Sequence, residues 1–268
     1  MVCVSEKELL DQRTAVPTVL LGGIPVSTAS RNQLANMVVN DSRTFRESKG
    51  KQRPRLMFDV NGHAVSLYYT DVDYRNALDK ADLIHADGGF LVAASRRLCK
   101  VPIAERSATT DLIRDIAAAG APEGLSFYLL GASEDNSKAA AETLKRDYPG
   151  VKIVGRRNGY FSESALPEII DDINKLNPDV LWVGLGKPRE QIFSVDLQDR
   201  VKTSWIITCG GCFDFLSGNA RRAPRWMQRA NLEWLFRLLM QPRRLFLRYA
   251  TTSPHALYII LTRRKKSG

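Results

Sequence analysis

Short runs of apolar residues alternate along this chain with longer stretches in which apolar residues recur every three to four positions. The short runs are typical of buried strands, and the longer stretches are typical of amphipathic helices. Strands are predicted over residues 18–24, 55–60, 82–86, 126–132, 151–155, 179–185 and 204–210. Helices are predicted over residues 31–43, 64–81, 90–99, 109–120, 133–148 and 164–176. This alternation predicts an α/β fold, with a Rossmann-like, largely parallel sheet that is covered by helices on both faces.

The alternation of strands and helices ends near Gly218, and the charge of the chain changes there. Residues 219–268 contain twelve basic residues and a single acid, Glu233, which gives this segment a charge of +11. Because the net charge of the whole chain is +10, the residues before this segment are close to neutral, at −1. We therefore predict two parts, a Rossmann-like domain over residues 1–218 and a basic amphipathic C-terminal appendage over residues 219–268.

Neither end of the sequence carries a predicted membrane span or export signal. The N-terminal stretch MVCVSEKELLDQRTAV mixes both signs of charge and lacks the apolar core of a signal peptide. The apolar run HALYIIL near the C-terminus is far shorter than the ~20 residues that a spanning helix needs. The sequence predicts a protein that is cytosolic, or that lies on a membrane without crossing it.

Residues 231–249 place arginines beside bulky apolar side chains on a predicted helix. The arginines that share one helical face are Arg237, Arg244 and Arg248, and the apolar residues on the adjacent face are Trp234, Leu238 and Leu245. Pro242 must kink or split this helix. A cationic stripe beside an apolar stripe is typical of a helix in a membrane interface, and it also suits a lipid diphosphate. Nucleic acid is the competing partner, but polar side chains that could read bases are scarce here.

Polar residues follow two of the predicted strands, where α/β folds bind their ligands. Asp87 comes directly after one strand and is followed by Gly88, which permits a sharp turn. A carboxylate held there suits a general base, and the alternative is that Asp87 caps the next helix. Asp59 and Asn61 end another strand and are expected to share a pocket with Asp87, the alternative for them being a simple turn.

The residues TTDL at positions 109–112 are explained by the start of a helix alone, without a role in substrate binding. Thr109 or Thr110 is predicted to cap the helix, and Asp111 lies in its first turn, where an acid is favourable. A role of Thr110 or Asp111 in substrate binding therefore needs support from elsewhere.

Two further turns lead from a strand through glycine into a helix. The turn at Gly131 is followed by acidic residues, which would repel a phosphate. The turn at Gly186 is followed by Lys187 and Pro188, so that a cation and backbone N–H groups would favour an anion. Arg189 occupies the third glycine position of a dinucleotide fingerprint, and the sequence has no Walker motif. A nucleotide diphosphate at the second turn is plausible on this pattern.

No cofactor and no metal site are predicted. Cys209 and Cys212 have the spacing of half a zinc site, but a compact second pair of ligands is missing, and we interpret them as small residues in a tight turn. Asp71 and Asp73 have the spacing of a metal-binding pair, but we interpret them as the solvated start of a helix.

Long motifs of this chain resemble the WecG/TagA/CpsF glycosyltransferases, a family that includes GumM-like enzymes of exopolysaccharide biosynthesis. The motifs are ALDKADLIHADGGFLVAASRRL, YPGVKIVGRRNGYF, VGLGKPREQ and CGGCFDFLSGNARRAPRWMQRANLEWLFRLLMQPRRLFLRY. The resemblance implies an inverting, metal-independent transfer of a hexose from a UDP-sugar to a sugar on undecaprenyl diphosphate. The hexose would be glucose, N-acetylmannosamine or its uronic acid.

The resemblance also implies roles for individual residues. Asp87 would be the general base, and Asn61 matches an asparagine of the family, whereas Asp59 replaces its usual threonine. The predicted substrate-binding residues are Gly88, Thr110, Asp111, Gly131, Gly186, Lys187, Pro188, Glu190, Gln191, Asp214, Arg237, Arg244 and Arg248. Glu190 and Gln191 stand in exchanged order relative to the family motif.

The expected partners follow from the same resemblance. They are a UDP-sugar donor, a polyprenyl-diphosphate-linked acceptor and the inner face of the cytoplasmic membrane, with a possible homo-oligomer and no nucleic acid. Two alternatives from other classes are a nucleic-acid-binding protein that uses the basic segment and a nicotinamide-dependent α/β enzyme.

Overall fold

The computed structural model describes residues 16–230 and 232–263, without the side chains of Arg229 and Arg244. The N-terminal stretch in which no signal peptide is expected lies outside the described residues. The strands are β1 Thr18–Leu21, β2 Ile24–Ser27, β3 Arg55–Val60, β4 Leu83–Ala86, β5 Ser126–Gly131, β6 Lys152–Arg157, β7 Val180–Gly184 and β8 Trp205–Thr208. The helices are α1 Arg31–Glu47, α2 Gly62–Thr70, α3 Val72–Leu78, α4 Gly89–Leu98, α5 Thr109–Gly120, α6 Glu134–Asp147, α7 Leu166–Leu176, α8 Arg189–Leu197, α9 Cys212–Leu216, α10 Arg225–Arg229, α11 Glu233–Met240 and α12 Pro242–Thr262.

A six-stranded parallel sheet in the order β4-β3-β8-β7-β5-β6 is the centre of the fold. Successive residues of a strand point to opposite faces, so that Leu56 and Phe58 enter one hydrophobic core and Met57 enters the other. Helices cover both cores, which confirms the predicted α/β class. Six of the seven predicted strands correspond to strands of this sheet.

The first predicted strand, over residues 18–24, is wrong. The chain turns at Gly22 and Gly23, whose φ angles of 58° and 82° are strained for any residue with a side chain. The result is an antiparallel hairpin of β1 and β2, which forms a separate two-stranded sheet. The apolar residues of both hairpin strands pack into the same core. The hairpin therefore gives a continuous apolar run in the sequence, as a single buried strand would.

The helix predicted over residues 64–81 divides into α2 and α3 at Asp71. The Asp71 backbone is extended, and its carboxylate accepts a hydrogen bond from the N–H of Tyr74 at 2.9 Å. Asp71 is therefore an N-cap, which confirms that the Asp71 and Asp73 pair marks a helix start.

The basic segment also divides into two helices, because α11 ends at Met240 and α12 begins at Pro242. The break confirms the effect expected of Pro242. It also means that Arg237 lies on a different helix from Arg244 and Arg248, so the three arginines do not share one helical face as predicted. The side chain of Arg244 lies outside the described residues.

The second half of α12 packs into the body of the protein. Ala256, Ile259 and Ile260 are buried in the same core as the hairpin. A Cβ at Gly22 would lie only 2.8 Å from the Ile259 side chain, and His255 Nδ1 lies 2.8 Å from Ser66 Oγ on α2. The division of the chain near Gly218 stays a prediction, but the end of the basic segment shares its core with the sheet domain.

Substituting Ile259 with alanine tests this packing. We expect Ile259→Ala to lower the free energy of unfolding by about 2–5 kcal/mol, because it removes buried methyl groups and leaves a cavity. Leu261→Ala is the matched control, because Leu261 is half exposed, and it should change stability by less than about 0.5 kcal/mol. Urea denaturation measures both. Equal stability of the two variants would contradict the packing of α12 against the core.

Candidate active site

The carboxyl ends of the adjacent strands β3 and β4 bring Asn61 and Asp87 together. Asn61 Nδ2 donates a hydrogen bond to Asp87 Oδ2 at 3.3 Å, while Asn61 Oδ1 accepts one from the N–H of Ala64. Asn61 is thus both the N-cap of α2 and a partner of Asp87. Gly88 allows this approach, because a Cβ there would lie 3.2 Å from the Cβ of Asn61. Asn61 and Asp87 therefore meet as expected from the sequence, whereas Asp59 is bound by Lys187 and not by either of them.

Asp87 does not cap the helix that follows it. The N-cap of α4 is Gly88, which has no side-chain cap, whereas Asp87 Oδ1 accepts a hydrogen bond from the N–H of Thr109 at 3.2 Å. Asp87 therefore accepts a hydrogen bond from the first backbone N–H group of α5 and not from α4. The prediction that Thr109 or Thr110 caps α5 is wrong, because the N-cap is Ala108 and Thr109 Oγ1 donates to the Cys209 carbonyl instead.

A buried cluster of three charged groups lies near Asp87. Lys187 Nζ donates to Asp59 Oδ2 and lies 3.6 Å from Glu190 Oε1. All three side chains are at most 9% exposed. Contrary to the expectation from the sequence, the charge of Lys187 is balanced inside the protein and is not offered to an anion. Sequence patterns do not show this pairing, because Asp59 lies 128 positions from Lys187.

Glu190 connects two of the glycine turns at the edge of the sheet. Its Oε2 accepts hydrogen bonds from the N–H groups of Gly186 at 3.0 Å and Gly210 at 2.9 Å. Burial raises the pKa of Glu190, whereas Lys187 and these two N–H groups lower it. Burial alone would lower the pKa of Lys187, but Asp59 and Glu190 together raise it above its usual value. The two carboxylates therefore favour the charged form of Lys187.

Two histidines at the site were not singled out by the sequence patterns. His85 pairs with Asp59 across the sheet, and its Nδ1 lies 3.0 Å from Ser107 Oγ, which donates to the Ala86 carbonyl. Burial lowers the pKa of His85, which favours the neutral ring. The second is His63. Its position two residues after the predicted site residue Asn61 is the one feature of the sequence that could have pointed to it. Burial, followed by Arg248 and Lys187, lowers the pKa of His63 to about 4.

The basic segment reaches the site through two of its arginines. The Arg237 guanidinium lies 5.4 Å from the ring centroid of Phe215 in α9, and Arg248 is close enough to His63 to lower its pKa. The Nε of Arg248 is buried, and no residue in the described part of the chain hydrogen-bonds to it. A buried guanidinium nitrogen without a protein partner is suited to bind an anion.

The other predicted site residues line the same edge of the sheet. Asp214 in α9 accepts a hydrogen bond from Asn136 Nδ2 at 2.6 Å. Gly131 lies against Gly184, where a Cβ would clash with the carbonyl oxygen of Gly184. The remaining positions are Thr110 in the first turn of α5, Pro188 at the start of α8, and Gln191, which is buried and donates to Glu190 and Thr208.

Asp111 is engaged by the protein itself. Arg222 donates to both of its carboxylate oxygens, and Arg31 lies 3.3 Å away. Asp111 lies in the first turn of α5, as predicted. Its oxygens bind cations of the chain, so a substrate would have to compete with Arg222 for them.

The cysteine pair has the structural role that the sequence suggested. Cys209 and Cys212 are buried free thiols in the turn between β8 and α9. Burial raises the pKa of both thiols, which keeps them protonated and unreactive. Within residues 16–230 and 232–263, no three His, Cys, Asp or Glu side chains are grouped so that they could hold a metal ion.

A half-buried carboxylate at the carboxyl edge of a parallel sheet is typical of an α/β enzyme that binds its substrate at that edge. Residues 19–268 match the profile of the glycosyl transferase WecG/TagA/CpsF family. The chain belongs to this family and is a glycosyltransferase. This assignment favours the glycosyltransferase prediction over the nucleic-acid-binding and nicotinamide-dependent alternatives.

Two relatives have the same name, N-acetylglucosaminyldiphosphoundecaprenol N-acetyl-beta-D-mannosaminyltransferase. The relative from Bacillus subtilis (strain 168) is 32% identical over 207 residues, which cover 77% of this chain and 79% of the relative. The relative from Bacillus spizizenii (strain ATCC 23059 / NRRL B-14472 / W23) is 33% identical over 171 residues, 64% of this chain and 65% of the relative.

The closeness of Arg248 to His63 is testable by titration. In an NMR titration we expect the His63 imidazole to titrate near pH 4, and its pKa to rise only part of the way to its usual value in Arg248→Gln, because the repulsion from Arg248 is lost while burial, the larger cause, remains. His63→Gln assigns the signal. Arg243→Gln removes an equal charge from an exposed position of the same helix and should leave the pKa of His63 unchanged. An identical pKa in wild type and Arg248→Gln would contradict the placement of α12.

Proposed function

We propose that this protein is an inverting glycosyltransferase that moves a hexose from a UDP-sugar to a sugar on a polyprenyl diphosphate, without a metal ion. The names of the two relatives support this acceptor class, because both name a diphosphoundecaprenol-linked sugar. The donor hexose stays open between glucose, N-acetylmannosamine and its uronic acid. The observation that carries the proposal is the Asp87 carboxylate, anchored at the sheet edge by Asn61 and Thr109.

Asp87 is the proposed general base. Asn61 and the N–H of Thr109 each hold one of its oxygens, which fixes the carboxylate without neutralising it. Asp87 takes the proton from the acceptor hydroxyl, and that oxygen attacks the anomeric carbon of the donor. The bond from the anomeric carbon to UDP breaks on the opposite face, and its electron pair leaves on the phosphate oxygen. Attack from that side inverts the configuration.

Binding of the acceptor's diphosphate is the second requirement of this reaction. The Lys187 cation and the N–H of Gly186 are already engaged with protein carboxylates. The arginines of the basic segment are therefore the proposed ligands of the acceptor's diphosphate: Arg248 through its buried Nε, together with Arg237 and Arg244. Preorganised cations in a site of low dielectric stabilise such charge strongly.

The donor nucleotide is proposed to bind along the turns of β5, β7 and β8. Gly131, Gly186 and Pro188 supply the backbone of these turns, and Asp214 lies on the adjacent α9. In this proposal Asp59, Glu190 and Gln191 act mainly by holding the turns in place, because all three are buried. Gly88, Thr110 and Asp111 complete the acceptor side near Asp87.

Attachment to the inner face of the cytoplasmic membrane is the third part of the proposal. No helix in the portion of the chain that the structure describes is long and apolar enough to cross a bilayer. Helices α11 and α12 nevertheless expose the large apolar side chains of Trp234, Leu239, Met240, Phe246 and Leu247, which together are called the apolar patch below. Exposed arginines such as Arg243 adjoin this patch. Apolar side chains beside cations fit an interfacial helix on an anionic membrane.

Replacing Asp87 with asparagine tests the base. We expect Asp87→Asn to lower the transfer rate about 10²- to 10⁴-fold, because the amide cannot accept the proton, while UDP affinity changes little. The assay uses a panel of UDP-sugars, a synthetic polyprenyl-diphosphate monosaccharide and EDTA, and UDP binding is measured by calorimetry. Transfer by wild type alone supports the base and metal independence and names the donor. Near-wild-type transfer by Asp87→Asn would exclude this carboxylate as the base.

Polar substitutions in the apolar patch test membrane attachment. We expect the double variant Phe246→Ser and Leu247→Ser to lower binding to phosphatidylglycerol vesicles about 10- to 100-fold, since two side chains no longer enter the interface. Co-sedimentation measures binding, and UDP affinity should not change. Val72→Ser with Val101→Ser is the matched control, because both valines are exposed on the body. Equal losses in the two double variants would contradict a specific patch.

A further inference from the structure

Glu233 is the single acidic residue among residues 219–268 and lies in the first turn of α11. It is also one of the few buried charged residues, at 9% exposure, although most of α11 is exposed or half-buried. A charge removed from water requires partners. The burial of this one acid therefore points to a specific contact with the body of the protein.

Two arginines meet at the Glu233 carboxylate. Arg106 Nη2, from the loop before α5, donates to Glu233 Oε2 at 2.5 Å. Arg222 donates from Nε and Nη2 to the two oxygens of Glu233, both at 3.3 Å. Arg222 also holds Asp111 in α5 through two hydrogen bonds. Glu233 thus connects α11 to two separate positions around the start of α5.

The contacted segment is the one that holds the proposed base. Arg106 is followed by Ser107, whose N–H donates to the Ala86 carbonyl at 2.8 Å, next to Asp87. Thr109, three residues after Arg106, donates its N–H to Asp87. The same short loop therefore anchors the Asp87 carboxylate on one side and α11 on the other.

The opposite end of the connection is Arg237. It follows Glu233 by four residues, so the two side chains lie on the same face of α11. The Arg237 guanidinium lies over the ring of Phe215, beside Asp214. When Glu233 is bound to Arg106 and Arg222, α11 is held in the register that places Arg237 at the sheet edge.

We propose that Glu233 is a positioning residue that docks α11 on the body and thereby sets the distance between the arginines of the basic segment and Asp87. This inference rests on the proposed function for its effect on transfer, but docking itself is independent of activity. Glu233 touches no substrate in this proposal. Its loss should act on the acceptor, whose diphosphate needs the arginines, more than on UDP.

The test compares Glu233→Gln with Glu142→Gln. Both substitutions remove one negative charge, but Glu142 is exposed on α6 and far from the basic segment in sequence. We expect Glu233→Gln to speed amide hydrogen exchange in residues 233–240 about 10-fold, because a charged, partly buried contact is lost. The KM for the polyprenyl-diphosphate acceptor should rise by a similar factor, while UDP affinity and vesicle binding stay unchanged. Glu142→Gln should behave as wild type in all four measurements.

A double-mutant cycle with Arg106→Gln shows whether Glu233 acts through this arginine. If it does, exchange in the double variant is no faster than in the faster single variant. Unchanged exchange in Glu233→Gln, or strictly additive effects in the cycle, would overturn the inference. Exchange that rises as expected while wild type transfers no sugar would support the docking contact and reject the proposed function. A fall in UDP affinity or in thermal stability that matches the rise in KM would indicate general damage and would also overturn the inference.

Discussion

The geometry of the site depends on a single cation that is buried between two carboxylates. Lys187 lies between Asp59 at the end of β3 and Glu190 in α8, and Glu190 also holds the turns after β7 and β8 through Gly186 and Gly210. Taking charges out of water is costly unless they are paired closely, and removing one partner of such a group costs about 3–5 kcal/mol. The ends of β3, β7 and β8 are therefore held together by electrostatics, where apolar packing gives way to polar side chains.

Burial of a charge does not by itself mark a functional group in this protein. At the opposite edge of the sheet, the buried Asp179 binds Arg46 from α1 and accepts the N–H and Oγ–H of Ser126, so that it connects a helix to two strands. Asp179 is fully satisfied and closed to solvent. Asp87 differs, because it is half-buried and accepts two hydrogen bonds from the part of the chain that the structure describes, both longer than 3 Å. A carboxylate that is held but still accessible has the properties of a base.

The parts of this structure that could be predicted from the sequence are those set by local patterns. Buried strands and amphipathic helices have distinct periodicities, and the polar residues at the ends of β3 and β4 had to converge in a parallel sheet. The roles of Lys187 and Thr109 could not be predicted, because their partners, Asp59 and Asp87, are distant in sequence. The hairpin at Gly22 was missed because two short apolar strands and one longer strand have the same hydrophobic pattern.

The basic segment is attached to the body by two different kinds of interaction. The end of α12 is held by apolar packing of Ile259 and Ile260 in the core, which salt does not screen. Helix α11 is held by the partly exposed ion pairs of Glu233, which salt and competing anions weaken. Under the proposed function, the basic segment stays attached to the enzyme through α12, while the position of α11 responds to the charge of the membrane surface and of the acceptor's diphosphate.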